Sequence, residues 1–131
     1  MGSAEAATTI DRPADEVWAV AGEFGGLDGW MPGVDACRVE GDTRILEVLG
    51  MQITERLVRR DDAARVLEYS ITESPLGAES HLGRVEVHEQ GDGSRVTWYV
   101  EVSPDHLTEL LVGTYQQALD AMKAHVESQG G

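Results

Sequence analysis

Between Val34 and Val102 apolar and polar residues alternate with a period of two. The alternation is cut at Gly41-Asp42, Gly50, Arg60-Asp61-Asp62, Ser74-Pro75-Leu76-Gly77 and Gly91-Asp92-Gly93. Such alternation sends successive side chains to opposite faces of an extended chain, and Gly, Pro and Asp clusters are where the chain turns. The pattern predicts six strands, at 34–40, 43–49, 51–59, 65–73, 79–89 and 94–102. Turns this tight leave no room for crossovers, so neighbouring strands are expected to pair antiparallel. Ahead of them, Ala7 to Ile10 is a short β-prone stretch, and Asp11-Arg12-Pro13-Ala14-Asp15-Glu16 is an acidic helix start with an early proline. Val17, Trp18, Val20, Ala21 and Phe24 recur at helical spacing. Gly22, Gly25, Gly26 and Gly29 divide that helix from a second short piece ending at Trp30-Met31-Pro32-Gly33.

After the strands the period changes. Ser103-Pro104-Asp105 combines a serine cap, a proline at the first position and an acid in the first turn. Leu107, Leu111, Thr114, Ala118, Met122 and Val126 form one helical stripe, flanked by Leu110, Tyr115 and Leu119, with Gly130 as the expected stop. About 25 residues at ~1.5 Å each make a rod of nearly 40 Å, enough to cross a whole sheet. The predicted architecture is α+β: a seven-stranded curved antiparallel sheet wrapped around a long C-terminal helix, with two short helices between strands 1 and 2. The glycines of the short helices and Gly113 of the long one predict that side chains do not fill the space between. A cavity of a few hundred Å³, in the usual range for ligand pockets, is expected there. Its walls should include Tyr69, Trp98, Thr114 and Ala118, and a solidly packed interior there would remove the small-molecule hypothesis altogether.

Composition narrows the function. The chain has 131 residues, one domain's worth (1–131), with 41% hydrophobic and 26% charged residues. Ten Lys and Arg against 24 Asp and Glu leave a net charge of −14. Such a surface repels phosphate backbones and anionic lipid, so no nucleic-acid partner and no membrane insertion are expected. The single Cys37 excludes a disulfide framework within the chain. The opening residues have no basic stretch followed by an apolar run, so a cytoplasmic protein, monomeric or weakly dimeric, is expected. Neither a phosphate-binding glycine loop, nor a nucleophile elbow, nor a Ser-His-Asp set is legible. No cofactor or metal is expected.

Strand parity selects the inner face. In 51–59 Met51, Ile53, Glu55 and Leu57 share the more apolar side, which carries Glu55 inward. In 43–49 Leu46 and Val48 take Arg44 with them, although the face with Ile45 and Leu49 is nearly as apolar. Leu67, Tyr69 and Ile71 form the inner row of 65–73. Glu79, His81 and Gly83 follow Val85 and Val87, and Val96, Trp98, Val100 and Val102 complete the set. The candidate ligand-binding residues are therefore Arg44, Glu55, Tyr69, Glu79, His81 and Trp98 from the sheet, with Leu111, Thr114 and Ala118 from the helix. Glu55 is either a ligand anchor, a structural partner of Arg44, or exposed at a strand bulge, since buried carboxylates need partners. His81 is either a general acid/base or a hydrogen-bonded wall residue. Glu79 and His81 are too few for a metal site.

Specific strings carry a resemblance. They are Asp15-Glu16-Val17-Trp18, Phe24-Gly25-Gly26-Leu27 leading to Trp30-Met31-Pro32-Gly33-Val34, Glu55-Arg56-Leu57 with Asp61-Asp62, Tyr69-Ser70-Ile71 before Ser74-Pro75-Leu76, and Gly93-Ser94-Arg95-Val96-Thr97-Trp98. In this order the chain resembles the helix-grip superfamily of START and birch-pollen-allergen type proteins, and within it the bacterial polyketide cyclase/dehydrase-like branch. It is more distantly similar to plant abscisic-acid receptors. The resemblance implies a cavity for apolar small molecules such as lipids, sterols, polyketides or hormones. It does not imply one reaction, because function resides in sites rather than folds. In the receptor branch the glutamate of the Glu-Arg-Leu run faces the pocket, which favours Glu55, whereas Met31 stands near that branch's ligand-anchoring lysine. The leading reading is a binding protein for a mostly apolar ligand with one polar end. The alternative is a cyclase, dehydratase or isomerase with Glu55 or Glu79 as general base and His81, Tyr69 or Arg44 as acid or oxyanion partner. A protein-interaction or lipid-chaperone module, for which the chain offers no dedicated motif, stands third.

Overall fold

The computed structural model describes residues 2–129. Among these, β1 (Gly2–Ile10), β2 (Val34–Glu40), β3 (Thr43–Val48), β4 (Met51–Asp61), β5 (Val66–Glu73), β6 (Ser80–Gln90) and β7 (Gly93–Ser103) form one antiparallel sheet. Its order is β1-β7-β6-β5-β4-β3-β2, a meander onto whose last strand β1 closes. β1 begins well before Ala7. Its small residues are weak strand formers, and the ladder from Gly2↔Val102 to Ile10↔Ser94 holds them extended. The β4–β5 register shifts at Thr54/Glu55 and at Leu57/Arg59, irregularities of the kind that bend a strand and raise its twist.

Helix α1 (Ala14–Ala21) follows Pro13, whose carbonyl accepts from the amides of Glu16 and Val17. It stops at Gly22, where a Cβ would stand 2.5 Å from Cε2 of Trp18. Trp18 in turn donates its indole N–H to Asp62 Oδ1 at 3.0 Å, tying α1 to the β4–β5 turn. The second short helix is reduced to a single 3-10 turn, Leu27–Gly29, and Phe24 lies on the irregular elbow between the two rather than on a helix. Gly26 enters that turn at φ +74°, a conformation that disfavours other residues.

Helix α2 (Leu107–Gln129) lies on the inner face against β1, β7 and α1. It starts later than the sequence predicts, because Ser103 still belongs to β7 and pairs with Ser80. Gly130, the expected stop, lies outside the described residues. Its buried side consists of Leu107, Leu111, Tyr115, Ala118, Leu119, Met122 and Val126. Tyr115, not Thr114, takes the inward position. Opposite it, Val96, Val100 and Val102 of β7 are wholly buried, each such side chain contributing about 1.5–3 kcal/mol. A smaller cluster of Leu27, Val34, Leu46 and Ile53 fills the other end of the sheet, and Trp30 and Met31 pack against both.

Candidate functional site

A polar cluster lies inside this apolar interior. Arg44 and Glu55 are register partners across β3 and β4, directed inward on the side of Leu46 and Ile53. Their exposures are 3% and 6%. Nε and Nη2 of Arg44 both donate to Glu55 Oε1 at 2.7 Å, and Nη1 donates to the Phe24 carbonyl at 3.0 Å. The guanidinium carbon stands 4.4 Å from the centre of the Phe24 ring and 4.8 Å from that of Tyr69. Ion pairing, a backbone acceptor and two ring faces together offset the removal of Arg44 from water. Glu55 adjoins the bulge of β4 but is not exposed by it.

Beside this pair runs a hydrogen-bonded chain. The Ile71 amide donates to Nδ1 of His81 at 3.1 Å, so the neutral ring carries its proton on Nε2, which donates to the Tyr115 hydroxyl at 2.9 Å. The Tyr115 hydroxyl continues to that of Tyr69, which also accepts from Nε1 of Trp98 at 3.0 Å. Burial lowers the His81 pKa to about 4, so the imidazole is neutral at pH 7. Burial pushes both tyrosines up, and the nearby Glu55 charge adds to the rise in each. The rings are packed as well as bonded: Trp98 stacks on Tyr115 with centroids 4.5 Å apart, and Tyr69 meets Trp98 edge-on. Tyr69 has room because its cross-strand partner is Gly83, where a Cβ would lie 2.5 Å from Tyr69 Cζ.

Five of the predicted site residues, Arg44, Glu55, Tyr69, His81 and Trp98, are thus brought together. Leu111 and Ala118 are buried in the core. Two others are corrected. Glu79 is exposed, since β6 begins at Ser80 and the alternation does not extend to it. Thr114 is only half-buried and returns its hydroxyl to the Leu110 carbonyl at 2.9 Å, leaving the inward place to Tyr115. Helical spacing alone puts Tyr115 beside the stripe and Phe24 on a helix. Tyr115's separation of four from Leu111 is the signal for its inward place; Phe24's position depends on where Gly22 ends α1.

The expected cavity is absent. The space enclosed between sheet, α2 and elbow is ≈ 10 Å³, bordered by Leu27, Trp30, Arg44, Tyr69, Trp98 and Met122 among others. That is about the minimum for one water molecule. Aromatic rings and Met122 fill the grip of the sheet. The glycines expected to leave clearance for a cavity do not provide it: Gly26, Gly29 and Gly113 face open space, not the interior. Larger depressions, ≈ 280 Å³ beside Thr9 and Lys123 and ≈ 370 Å³ beside Asp35 and Gln52, are open grooves away from the cluster. Among the described residues no group of His, Cys, Asp and Glu is arranged to hold a metal ion. No helix among them is long and apolar enough to cross a membrane.

Residues 1–127 match the profile of the family described as polyketide cyclase / dehydrase and lipid transport. The chain belongs to this family. XoxI from Bacillus cereus superposes with a TM-score of 0.93 at 25% identity, covering 100% of this chain and 99% of that one. A START superfamily protein from Mycobacterium smegmatis gives 0.85 at 12% identity, covering 98% and 99%. Ara h 8.0201 gives 0.81 at 16%, covering 96% and 97%. The last two establish the shared fold and bear out the helix-grip resemblance. A comparison with curated proteins found no match. The polyketide cyclase / dehydrase and lipid transport family embraces both catalysis and carriage, so membership alone does not select between them.

Proposed function

We propose that this protein binds a small, largely apolar molecule with one polar end on the inner face of the sheet, with the Arg44–Glu55 pair as its polar anchor. The observation that carries this reading is the buried pair itself. Apolar residues of similar volume in place of a buried ion pair are often neutral or stabilising by about 1–4 kcal/mol, so core stability alone is a poor reason to keep one. Here the pair stands beside a chain of four further polar or aromatic side chains in the middle of the core. The family's description, which includes lipid transport, supports the same reading.

The closed interior excludes a ligand from this conformation, so binding requires an open one, and we propose the elbow carrying Phe24, Leu27 and Trp30 as the segment that moves away from the sheet. This segment contains no strand and only one 3-10 turn, so its displacement leaves the sheet ladder intact. The enzymatic alternative is less well supported. Glu55 as general base is occupied by Arg44, and both ring nitrogens of His81 are hydrogen-bonded. The remaining features of the reading are a cytoplasmic location, a monomer or weak homodimer, and no nucleic-acid partner, the last from the net charge of −14.

Thermal unfolding against a panel of fatty acids, sterols and aromatic polyketides tests the proposal. Binding to the native state alone raises the melting temperature with the logarithm of free ligand once ligand exceeds its dissociation constant. A panel that produces no shift, with native mass spectrometry of protein from its own host revealing no retained small molecule, would dismiss binding.

A further inference from the structure

Phe24 makes two contacts with Arg44 of the kind a ligand would make. Its carbonyl accepts from Nη1 at 3.0 Å, and its ring lies 4.4 Å from the guanidinium carbon. Both come from a residue on the elbow, outside any helix or strand and flanked by Gly22 and Gly25-Gly26. Phe24 is 6% exposed and belongs to the main core. Resting on the binding reading above, we propose that Phe24 is a built-in plug, and that the ligand displacing it is an uncharged molecule with a planar apolar body and a carbonyl oxygen.

The chemical class follows from what Phe24 supplies and what Glu55 has already taken. A flat apolar ring against the guanidinium and a neutral carbonyl oxygen on Nη1 are the features a replacement has to reproduce. A carboxylate would reproduce the acceptor but not the charge balance. Two N–H groups of Arg44 already serve Glu55, so the guanidinium charge is matched before any ligand arrives. A second buried anion beside Glu55 would face like-charge repulsion with no added cation, and desolvation makes that costly. The acidic surface, net −14, disfavours the approach of anions as well. A neutral ketone, lactone or amide on an aromatic frame meets none of these penalties.

Three planar probes of one size separate the requirements: 2-acetylnaphthalene (acceptor, neutral), 2-naphthoate (acceptor, anionic) and 2-ethylnaphthalene (no acceptor). Binding is measured by calorimetry at high salt, which suppresses the long-range surface field and leaves local discrimination. The ketone is expected to bind at least tenfold more tightly than either of the others. Phe24→Ala, with its fold checked by circular dichroism, is expected to tighten ketone binding at least tenfold by removing the ring half of the plug, the backbone carbonyl remaining. In the wild-type protein, hydrogen exchange provides the plug test without mutation: saturating ketone is expected to speed exchange at residues 23–27 while slowing it in β4 and β5. Naphthoate binding as tightly as the ketone overturns the ligand class. Slower exchange at 23–27 on binding, or unchanged affinity in a folded Phe24→Ala protein, overturns the plug. Failure of all three probes, while a lipid or sterol raises the melting temperature, overturns this inference but leaves the binding reading standing; failure of every apolar compound removes both.

Discussion

Arg44 and Glu55 face one another across β3 and β4, and two guanidinium nitrogens share a single carboxylate oxygen at 2.7 Å inside the core. Both charges are almost wholly withdrawn from water, so each depends on the other. Arg44→Met leaves a buried carboxylate without its cation and is expected to lower the unfolding free energy by about 3–5 kcal/mol. The double substitution Arg44→Met/Glu55→Leu removes both desolvation costs and is expected to recover most of that loss. Urea unfolding of the two single variants and the double variant measures the coupling. A double variant as unstable as Arg44→Met alone would contradict the account.

Glu55→Gln separates anchoring from proton transfer. The amide keeps the shape of the carboxylate but loses a charge-assisted contact. Binding of a ligand anchored through the pair is expected to weaken by about 1.5–3 kcal/mol, read by calorimetry. If Glu55 instead served as a base, turnover would vanish while affinity stayed nearly constant. The second pattern would reverse the preference for a binding protein.

Gly83 is expected to tolerate no side chain. A Cβ there would approach Tyr69 Cζ to 2.5 Å and its hydroxyl oxygen to 2.7 Å. Tyr69 is 1% exposed and held by Trp98, so it has nowhere to move. Gly83→Ala is expected to destabilise by about 1–3 kcal/mol, as overpacking does. Denaturant unfolding followed by tryptophan fluorescence checks both the loss and the disturbance at Trp98. An unchanged midpoint would show that the ring is less confined than its contacts indicate.

His81 sets an acid limit on stability. Its folded pKa is lowered from 6.5 to about 4 by burial, so between these values the unfolded chain binds a proton that the folded one refuses. The stabilisation is complete above pH 6.5, declines as pH falls toward 4, and is lost below it. In full it amounts to about 3 kcal/mol. His81→Gln retains an acceptor for the Ile71 amide and a donor for Tyr115. It is expected to flatten the pH dependence of the unfolding free energy across this window. An equal slope in the two proteins would assign the acid sensitivity elsewhere.

Much of the fold and part of the site were legible from periodicity. Ile53, Tyr69, Val85 and Trp98 fall on the inner face because strand parity leaves one choice wherever one face is plainly more apolar, and the same rule carried Glu55 and His81 inward with their neighbours. In 43–49 the two faces are nearly equal in apolar content, and only the sheet's packing places Leu46 and Arg44 inside. Parity failed at Glu79, one residue beyond the start of β6, where no ladder constrains the side chain. On α2 the stripe through Leu111 continues to Thr114 at a spacing of three and to Tyr115 at a spacing of four; the sequence reading favours Thr114, and the structure buries Tyr115 instead. The length of β1 was equally hidden, because Ser3, Ala4 and Ala6 are held by β7 and not by their own preferences.

The sequence by itself determined the order of strands and helices, most of the inward rows and the acidic surface, because these depend on local spacing and on composition. Tertiary structure alone decided how those inward residues meet. That Tyr69 lies over Gly83 depends on strand register, and that His81, Tyr115, Tyr69 and Trp98 join into one hydrogen-bonded chain depends on where α2 crosses the sheet. The closed interior is of the same kind: its ≈ 10 Å³ is a small remainder between the volume the sheet encloses and the volume the rings, Met122 and the elbow fill. Side-chain counts along a chain do not contain that difference, because it is set by the curvature of the sheet and the descent of Phe24 onto Arg44.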